Sequence, residues 1–319
     1  MRQEQETEIR GRQRLRVGTR GSLLAQAQTG IIVARLQEAH PTLEIVTEII
    51  QTTGDQRRDV PFSAIGTKGM FVKEIEQALL SGVIDLGIHS LKDMPAELPD
   101  GLELACVPTR EDPRDALLSH KSPTLYSLPP GATVGTSSIR RQAQLLSIRR
   151  DLRIEELRGN LDTRLRKLDE GQYDAIVVAC SGLNRMGLGN RITQALGADI
   201  SVPAAGQGAL ALETRRGDLL IIELLAPLHD NDTSDAVTAE RAFLAALGGG
   251  CSVPAGALGV ISGDQLELHA MIAAPDGSRL VRDTVAGSRK QAAALGAWIA
   301  ERLLGAGGRD LLKGMTHIA

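Results

Sequence analysis

Aromatic side chains are nearly missing from this chain of 319 residues: one Trp, two Tyr and three Phe make up 2% of it. Base-stacking platforms are therefore not available, which argues against single-stranded nucleic acid as a partner. The cores must be built from Ala, Val, Ile and Leu. Cysteine is scarce as well. Cys106, Cys180 and Cys251 cannot all pair within one chain, and there is no CxxC or Cys/His cluster, so neither a disulfide framework nor any metal site is supported. Nucleotide motifs are missing too: there is no GxxxxGK(S/T), and no GxGxxG after a strand. The N-terminal MRQEQETEIRGR is polar and charged with no apolar stretch, so residues 1–12 read as a frayed tail, not a secretory signal or a membrane span. A reducing cytoplasm is the expected compartment.

What remains is a soluble globular composition, 42% hydrophobic and 24% charged, in a chain long enough for two or three domains. The net charge of −3 excludes little, but its distribution is uneven. Between Arg140 and Lys167 nine cationic residues face four acidic ones. A local positive excess in a mildly acidic protein suggests an anionic ligand, with a solvated helix face as the plainer alternative.

Apolar runs alternate with amphipathic stretches over the first two thirds. Leu15–Gly18, Leu43–Gln51 and Ile84–Leu91 read as strands, with helices from Ser22, as N-cap, to Ala39 and over Gly69–Ser81. A second unit begins after Pro113, with strands at Asp115–Leu118, Thr133–Gly135, Arg153–Leu157 and Ala175–Ala179. Its helices start near Ser138 and at Asp162, and one more strand spans Ala209–Glu213. The βαβ rhythm predicts mostly parallel, helix-flanked sheets. The last ninety residues change character: a helix over Thr233–Leu247, strands at Leu266–Ala273 and Leu280–Val285 joined by Pro275-Asp276-Gly277, and a helix over Lys290–Leu304. This is a small α+β domain. Cys106 and Cys180 end apolar runs and read as core thiols.

Chemistry-bearing residues gather at the ends of these elements. His89-Ser90-Leu91-Lys92-Asp93-Met94-Pro95 closes a strand, where ligands of open α/β sheets bind; capping of a turn by Asp93 is the alternative. Gly135-Thr136-Ser137-Ser138-Ile139-Arg140-Arg141 is a strand–turn–helix whose free N–H groups and arginine forks suit carboxylate or phosphate, ordinary N-capping being the alternative. Leu157-Arg158-Gly159-Asn160 with Arg164, and Thr19-Arg20-Gly21-Ser22, repeat the arrangement. Three such turns describe a polyanion site. Cys251, after Gly248-Gly249-Gly250 and before Ser252-Val253-Pro254, is a thiol on a loop with little side-chain cover, either a reachable functional group or a plain surface cysteine.

Seven motifs together resemble the porphobilinogen deaminase (hydroxymethylbilane synthase) family: HSLKDMP, REDPRDA, GTSSIRRQ, LRGNLDTRL, PAAGQGAL, TAERAF and GGGCSVPAGA, in order from about Leu15 to the C-terminus. The resemblance implies an α/β fold of two periplasmic-binding-protein-like domains around a cleft, plus a smaller C-terminal α+β domain. The expected bounds are residues 13–108 with 207–225, residues 109–206, and residues 230–319. It implies a dipyrromethane cofactor held by a thioether to Cys251 and a catalytic carboxylate at Asp93. Arg140, Arg141, Arg158 and Arg164, supported by Lys92, Ser138 and Gln207, would bind the cofactor; Arg20, Ser22 and Arg185, with Lys68 in the active-site loop, would bind substrate. A cytoplasmic monomer acting on porphobilinogen is expected, with no nucleic-acid or membrane partner. The chain departs from the family at Leu23, where TRxSPLA has proline, and at Ala64, where a basic residue is common.

The chemistry agrees with that likeness. Each pyrrole ring carries two carboxylates, so a growing chain of rings is a dense polyanion, and each semi-buried carboxylate with a charged partner gains ~1.5–3 kcal/mol. Loss of ammonia from the aminomethyl group leaves a cation that a nearby carboxylate would stabilise. The competing readings lack support: a periplasmic anion-binding module has no use for Cys251 or a third domain, and a regulator's sensing domain needs a helix-turn-helix that is not seen.

Overall fold

The computed structural model describes residues 14–53, 72–95, 97–248 and 253–313. The chain runs through β1 (Arg14–Arg20), α1 (Leu23–Ala39), β2 (Glu44–Ile50), α2 (Lys73–Leu80), β3 (Leu86–Ser90) and β4 (Leu102–Cys106). It continues with β5 (Asp115–Leu118), β6 (Thr133–Gly135), α3 (Ile139–Ile148), β7 (Arg153–Glu155), α4 (Leu161–Asp169), β8 (Ala175–Ala179), α5 (Cys180–Arg185) and β9 (Gln194–Leu196). Then come β10 (Leu210–Arg215), α6 (Leu219–Leu225), α7 (Asn231–Ala246), β11 (Ala255–Ser262), β12 (Gln265–Ala273), β13 (Leu280–Ser288), α8 (Ala292–Leu303) and α9 (Arg309–Lys313). Two compact units result: residues 1–110 with 209–234, and residues 111–208 with 235–319.

The first unit holds a five-stranded sheet in the order β2-β1-β3-β10-β4. β1 pairs in parallel with β2 and β3, whereas β10 enters antiparallel to both β3 and β4. The second unit repeats the arrangement as β7-β6-β8-β5-β9, with β6 parallel to β7 and β8, and β5 antiparallel to β8 and β9. The expected dominance of parallel pairing is thus corrected: each sheet is half antiparallel, because one strand in each runs against the βαβ series. A separate antiparallel sheet, β11-β12-β13, carries the C-terminal part of the second unit.

Local sequence explains most boundaries. Ser22 is extended and its hydroxyl accepts from the Ala25 N–H at 3.3 Å, so α1 starts after it as its capping chemistry predicts. Ser138 does the same for α3, accepting from the Arg141 N–H at 3.4 Å. Helix α7 begins at Asn231, two residues before the expected Thr233; the Asp230 carboxylate accepts from the Thr233 N–H and closes the first turn earlier. β1, α1 and α6 bury Leu15, Val17, Ile32, Leu36, Ile221 and Leu225 in the first core. The aliphatic composition suffices, and Phe243 is the one aromatic ring among the largest fully buried side chains.

Candidate functional site

In the first unit, β3 ends at Ser90 and the chain makes one 3-10 turn, Leu91–Asp93. Leu91 is buried and its N–H donates to the Ala209 carbonyl, which pins the turn to the segment entering β10. Lys92 and Asp93 sit half-buried on this anchored turn, and the Met94 N–H closes it on the Leu91 carbonyl. Ser90 is held from the side: its hydroxyl and the Gln28 amide of α1 lie 3.1 to 3.2 Å apart. Arg20 stands half-buried at the end of β1, and Ser22 spends its hydroxyl on the α1 cap. A rigid strand end therefore delivers Asp93.

The second unit contains a denser arrangement. Arg140 and Arg141, in the first turn of α3, are both buried, and both grip Asp115 at the head of β5. Arg140 donates to the Asp115 carboxylate at 2.8 and 3.2 Å, and Arg141 at 2.9 Å through Nε with a further 2.8 Å approach. Ser201 and Gln207 donate to the same carboxylate at 2.7 and 2.9 Å. Burial alone would raise the Asp115 carboxyl; the two guanidinium groups outweigh it and hold it well below the usual carboxylate range. Burial lowers the Arg141 guanidinium, with Asp115 opposing. One carboxylate against two guanidiniums leaves the cluster with a net positive charge.

The turns around this cluster are tied together. The Ser137 hydroxyl donates to the Leu157 carbonyl at 2.7 Å, joining the GTSSIRR turn to the LRGN turn. Arg158 pairs with Glu156, and Arg164 Nε donates to the Gly159 carbonyl at 2.8 Å, so both lie at the rim of that second turn. Gln207 is presented by a tight turn in which Gly206 and Gly208 have φ of 72° and 88°. A Cβ at Gly208 would lie 2.3 Å from the Glu111 carbonyl oxygen, so the PAAGQG segment needs glycine there for space as well as conformation. Arg185 donates to the Gly208 carbonyl at 2.6 Å, and burial pushes its guanidinium down to about 10, still charged at neutral pH. Glu240 of TAERAF accepts from the Gly206 and Gly259 N–H groups at 2.6 and 2.8 Å, which fastens this turn to β11.

The structure thus brings Arg140, Arg141, Ser138 and Gln207 into one network and places Arg158, Arg164 and Arg185 on the turns beside it. Lys68 and Cys251 lie outside the described residues, as does Ala64. Cys106 and Cys180 are buried, and burial pushes both thiols up to about 12, so neither is a nucleophile at neutral pH. Among the described residues no His/Cys/Asp/Glu group could hold a metal ion, and no helix is long and apolar enough to cross a membrane. Asp115 was not nominated from the sequence. The available signal was a carboxylate heading the fully buried strand DALL, which requires a cationic partner.

The family model described as porphobilinogen deaminase, dipyromethane cofactor binding domain, matches residues 15–223, and the porphobilinogen deaminase C-terminal domain matches residues 234–305. The porphobilinogen deaminase of Roseiflexus castenholzii is 54% identical over 95% of this chain and all of its own. That of Syntrophotalea carbinolica is 50% identical over 94% of this chain and 96% of its own. Among solved structures, a putative methionine-binding lipoprotein of Bacillus subtilis covers 70% of this chain and 94% of its own at 13% identity, with a TM-score of 0.41, a distant likeness that adds nothing to the strand order. Two consecutive domain matches and relatives about half identical over nearly their whole length leave one assignment: the chain belongs to the porphobilinogen deaminase family.

Proposed function

We propose that the chain condenses four porphobilinogen molecules head to tail on a covalent dipyrromethane primer, releases one ammonia per condensation, and frees hydroxymethylbilane by hydrolysis. The observation that carries the reading is the buried Asp115–Arg140–Arg141 cluster, two guanidiniums on one carboxylate, whose excess positive charge suits a carboxylate-bearing ligand. A donor set of this kind fits a group bearing acetate and propionate arms. When bound, the dipyrromethane supplies the terminal pyrrole carbon that is extended.

The chain's own residues then take these roles. Arg140 and Arg141, oriented by Asp115 and Gln207, hold carboxylates of the primer; Ser138 caps the helix that carries them, and Arg158, Arg164 and Lys92 assist. Arg20, Ser22, Arg185 and Lys68 bind carboxylates of the incoming substrate. Asp93 stands close to the pyrrole N–H, stabilises the cation left by departing ammonia, and moves protons there. Cys251 would bear the primer through a thioether, its thiol taking the place of the amine that leaves as ammonia. The exclusion of Cys106 and Cys180 by burial supports that choice. The same reading gives domains of residues 13–108 with 207–225, 109–206 and 230–319, a span for each sheet, in a cytoplasmic monomer.

The test is turnover of porphobilinogen combined with intact mass. The purified protein is expected to exceed its polypeptide mass by two porphobilinogens less two ammonias, with the adduct on Cys251. Cys251→Ser should fold, carry no adduct and show no turnover. Full activity at the bare polypeptide mass overturns the proposal.

A further inference from the structure

A second buried polar cluster lies in the first unit, and no step above uses it. His89 and Glu213 face each other diagonally across the β3–β10 pairing, where Ala211 is opposite His89 and Glu213 opposite Gly87. His89 Nε2 approaches Glu213 Oε2 to 3.0 Å, with both side chains almost wholly buried. The angles are poor for a hydrogen bond, so neither Glu213 oxygen has a hydrogen-bond partner among the described residues. Glu76 of α2 is buried against the same place, and its Oε1 likewise lacks a partner. Two carboxyl groups and one imidazole are thus gathered in the interior with little access to solvent. Such a group is expensive to bury unless its members compensate one another.

Gly87 makes the arrangement possible. A Cβ there would lie 2.9 Å from His89 Nε2, so the ring occupies the space over the missing side chain. His89 is thereby folded back along its own strand toward Glu213, on the strand that turns into Lys92 and Asp93 immediately afterwards. Burial raises the Glu76 carboxyl, Glu213 adds to the effect and His89 opposes it. The remaining charged groups on the strands packed against α2 are Arg14, Arg16 and Arg20 of β1, Glu103 of β4 and Arg215 of β10. Arg16 and Arg215 are committed to Asp85, and Glu103 accepts from the Gly217 N–H.

We propose that Glu213, His89 and Glu76 form a positioning triad for the active carboxylate: Glu213 fixes the His89 ring over Gly87 and so sets the end of β3 that delivers Asp93, while Glu76 closes the cluster from α2. The proposal rests on the assignment of Asp93. Glu213→Gln keeps the shape and replaces the carboxyl group that faces the ring. Its kcat should fall between about tenfold and a hundredfold, the scale of a small misplacement of a reacting group. KM should move little, and the cofactor adduct seen by intact mass should persist.

Glu76→Gln provides an independent arm, because the amide imitates the protonated acid. The raised Glu76 carboxyl stabilises the folded state fully below the ordinary glutamate range, and that stability is lost as pH rises through its raised value. The Tm advantage of Glu76→Gln over the parent should therefore grow with pH. Parallel Tm profiles overturn the proposal, also where Glu213→Gln fails to fold. A folded Glu213→Gln with parental kcat overturns it too. In a parallel assay Asp93→Asn isolates the underlying assignment: near-parental turnover there removes Asp93 itself, and the triad's purpose with it.

Discussion

Asp115 carries two guanidinium groups on one carboxylate, so its charge matters more to the second unit than a typical aspartate's. Asp115→Asn leaves two buried cations facing an amide and should cost about 3–5 kcal/mol, the usual penalty for breaking a buried ion pair from one side. Because the folded carboxyl is held below its ordinary range, its contribution is complete above the unfolded value and is lost as pH falls through the folded one. The Tm gap between parent and variant should be widest near neutrality and shrink in acid; a gap independent of pH would show that Asp115 acts by shape alone. Asp93 calls for a different measurement. Asp93→Asn should lower the rate at least a hundredfold, roughly 3 kcal/mol, the scale of one lost electrostatic contact to the transition state. Carboxylate binding through the arginines should survive, so stalled complexes should appear by mass. The turns that carry Asp93 and most of the arginines were legible in the sequence because glycine, serine and proline mark the ends of the neighbouring elements. Glu213 and Glu76 were not, since each lies within a strand or helix, and Asp115, although it heads β5, likewise gains its meaning from partners distant in sequence.

Helices and strands with strong local signals matched their expected spans. Ser22 and Ser138 cap as read, and β5, β6 and β8 begin and end where the apolar runs do. β11 went unseen because Gly256 and Gly259 interrupt it, and glycine disfavours strands in isolation. Packing supplies the reason for both: a Cβ at Gly256 would lie 2.6 Å from the Val202 carbonyl, and one at Gly259 would lie 2.9 Å from that of Ala236. The strand is glycine-rich so that a neighbouring backbone can touch it. Similar reasoning separates two glycines with positive φ. Gly217 has open space around it, so Gly217→Ala should cost about 1–2 kcal/mol, the left-handed backbone penalty. Gly208→Ala adds a collision with the Glu111 carbonyl and should cost more than about 3 kcal/mol, displacing Gln207 and weakening cofactor assembly. Thermal unfolding of both variants, with intact mass for loading, decides it; equal Tm losses would refute the collision argument.

At the scale of the whole chain, the two five-stranded sheets share one plan but differ in when their strands are made. β5 is the first strand of the second sheet, so that sheet is complete once β9 has been synthesised. The first sheet is different, because β10 is the only link between β3 and β4 and starts at Leu210, long after β4 ends at Cys106. At ~5–20 residues per second, a ribosome leaves those two edges unpaired for about 5–20 seconds. During that interval β3 exposes the backbone that β10 will later cover, and open edges of this kind pair readily with other chains. A fragment released after residue 206 should therefore resist protease over the second sheet and remain cleavable before residue 106. Extension past Arg215 should protect both. The late arrival of β10 leads us to expect that holdase protection of the first third of the newborn polypeptide raises its yield, and that a shortage of such protection reduces yield without touching the stability of the finished enzyme.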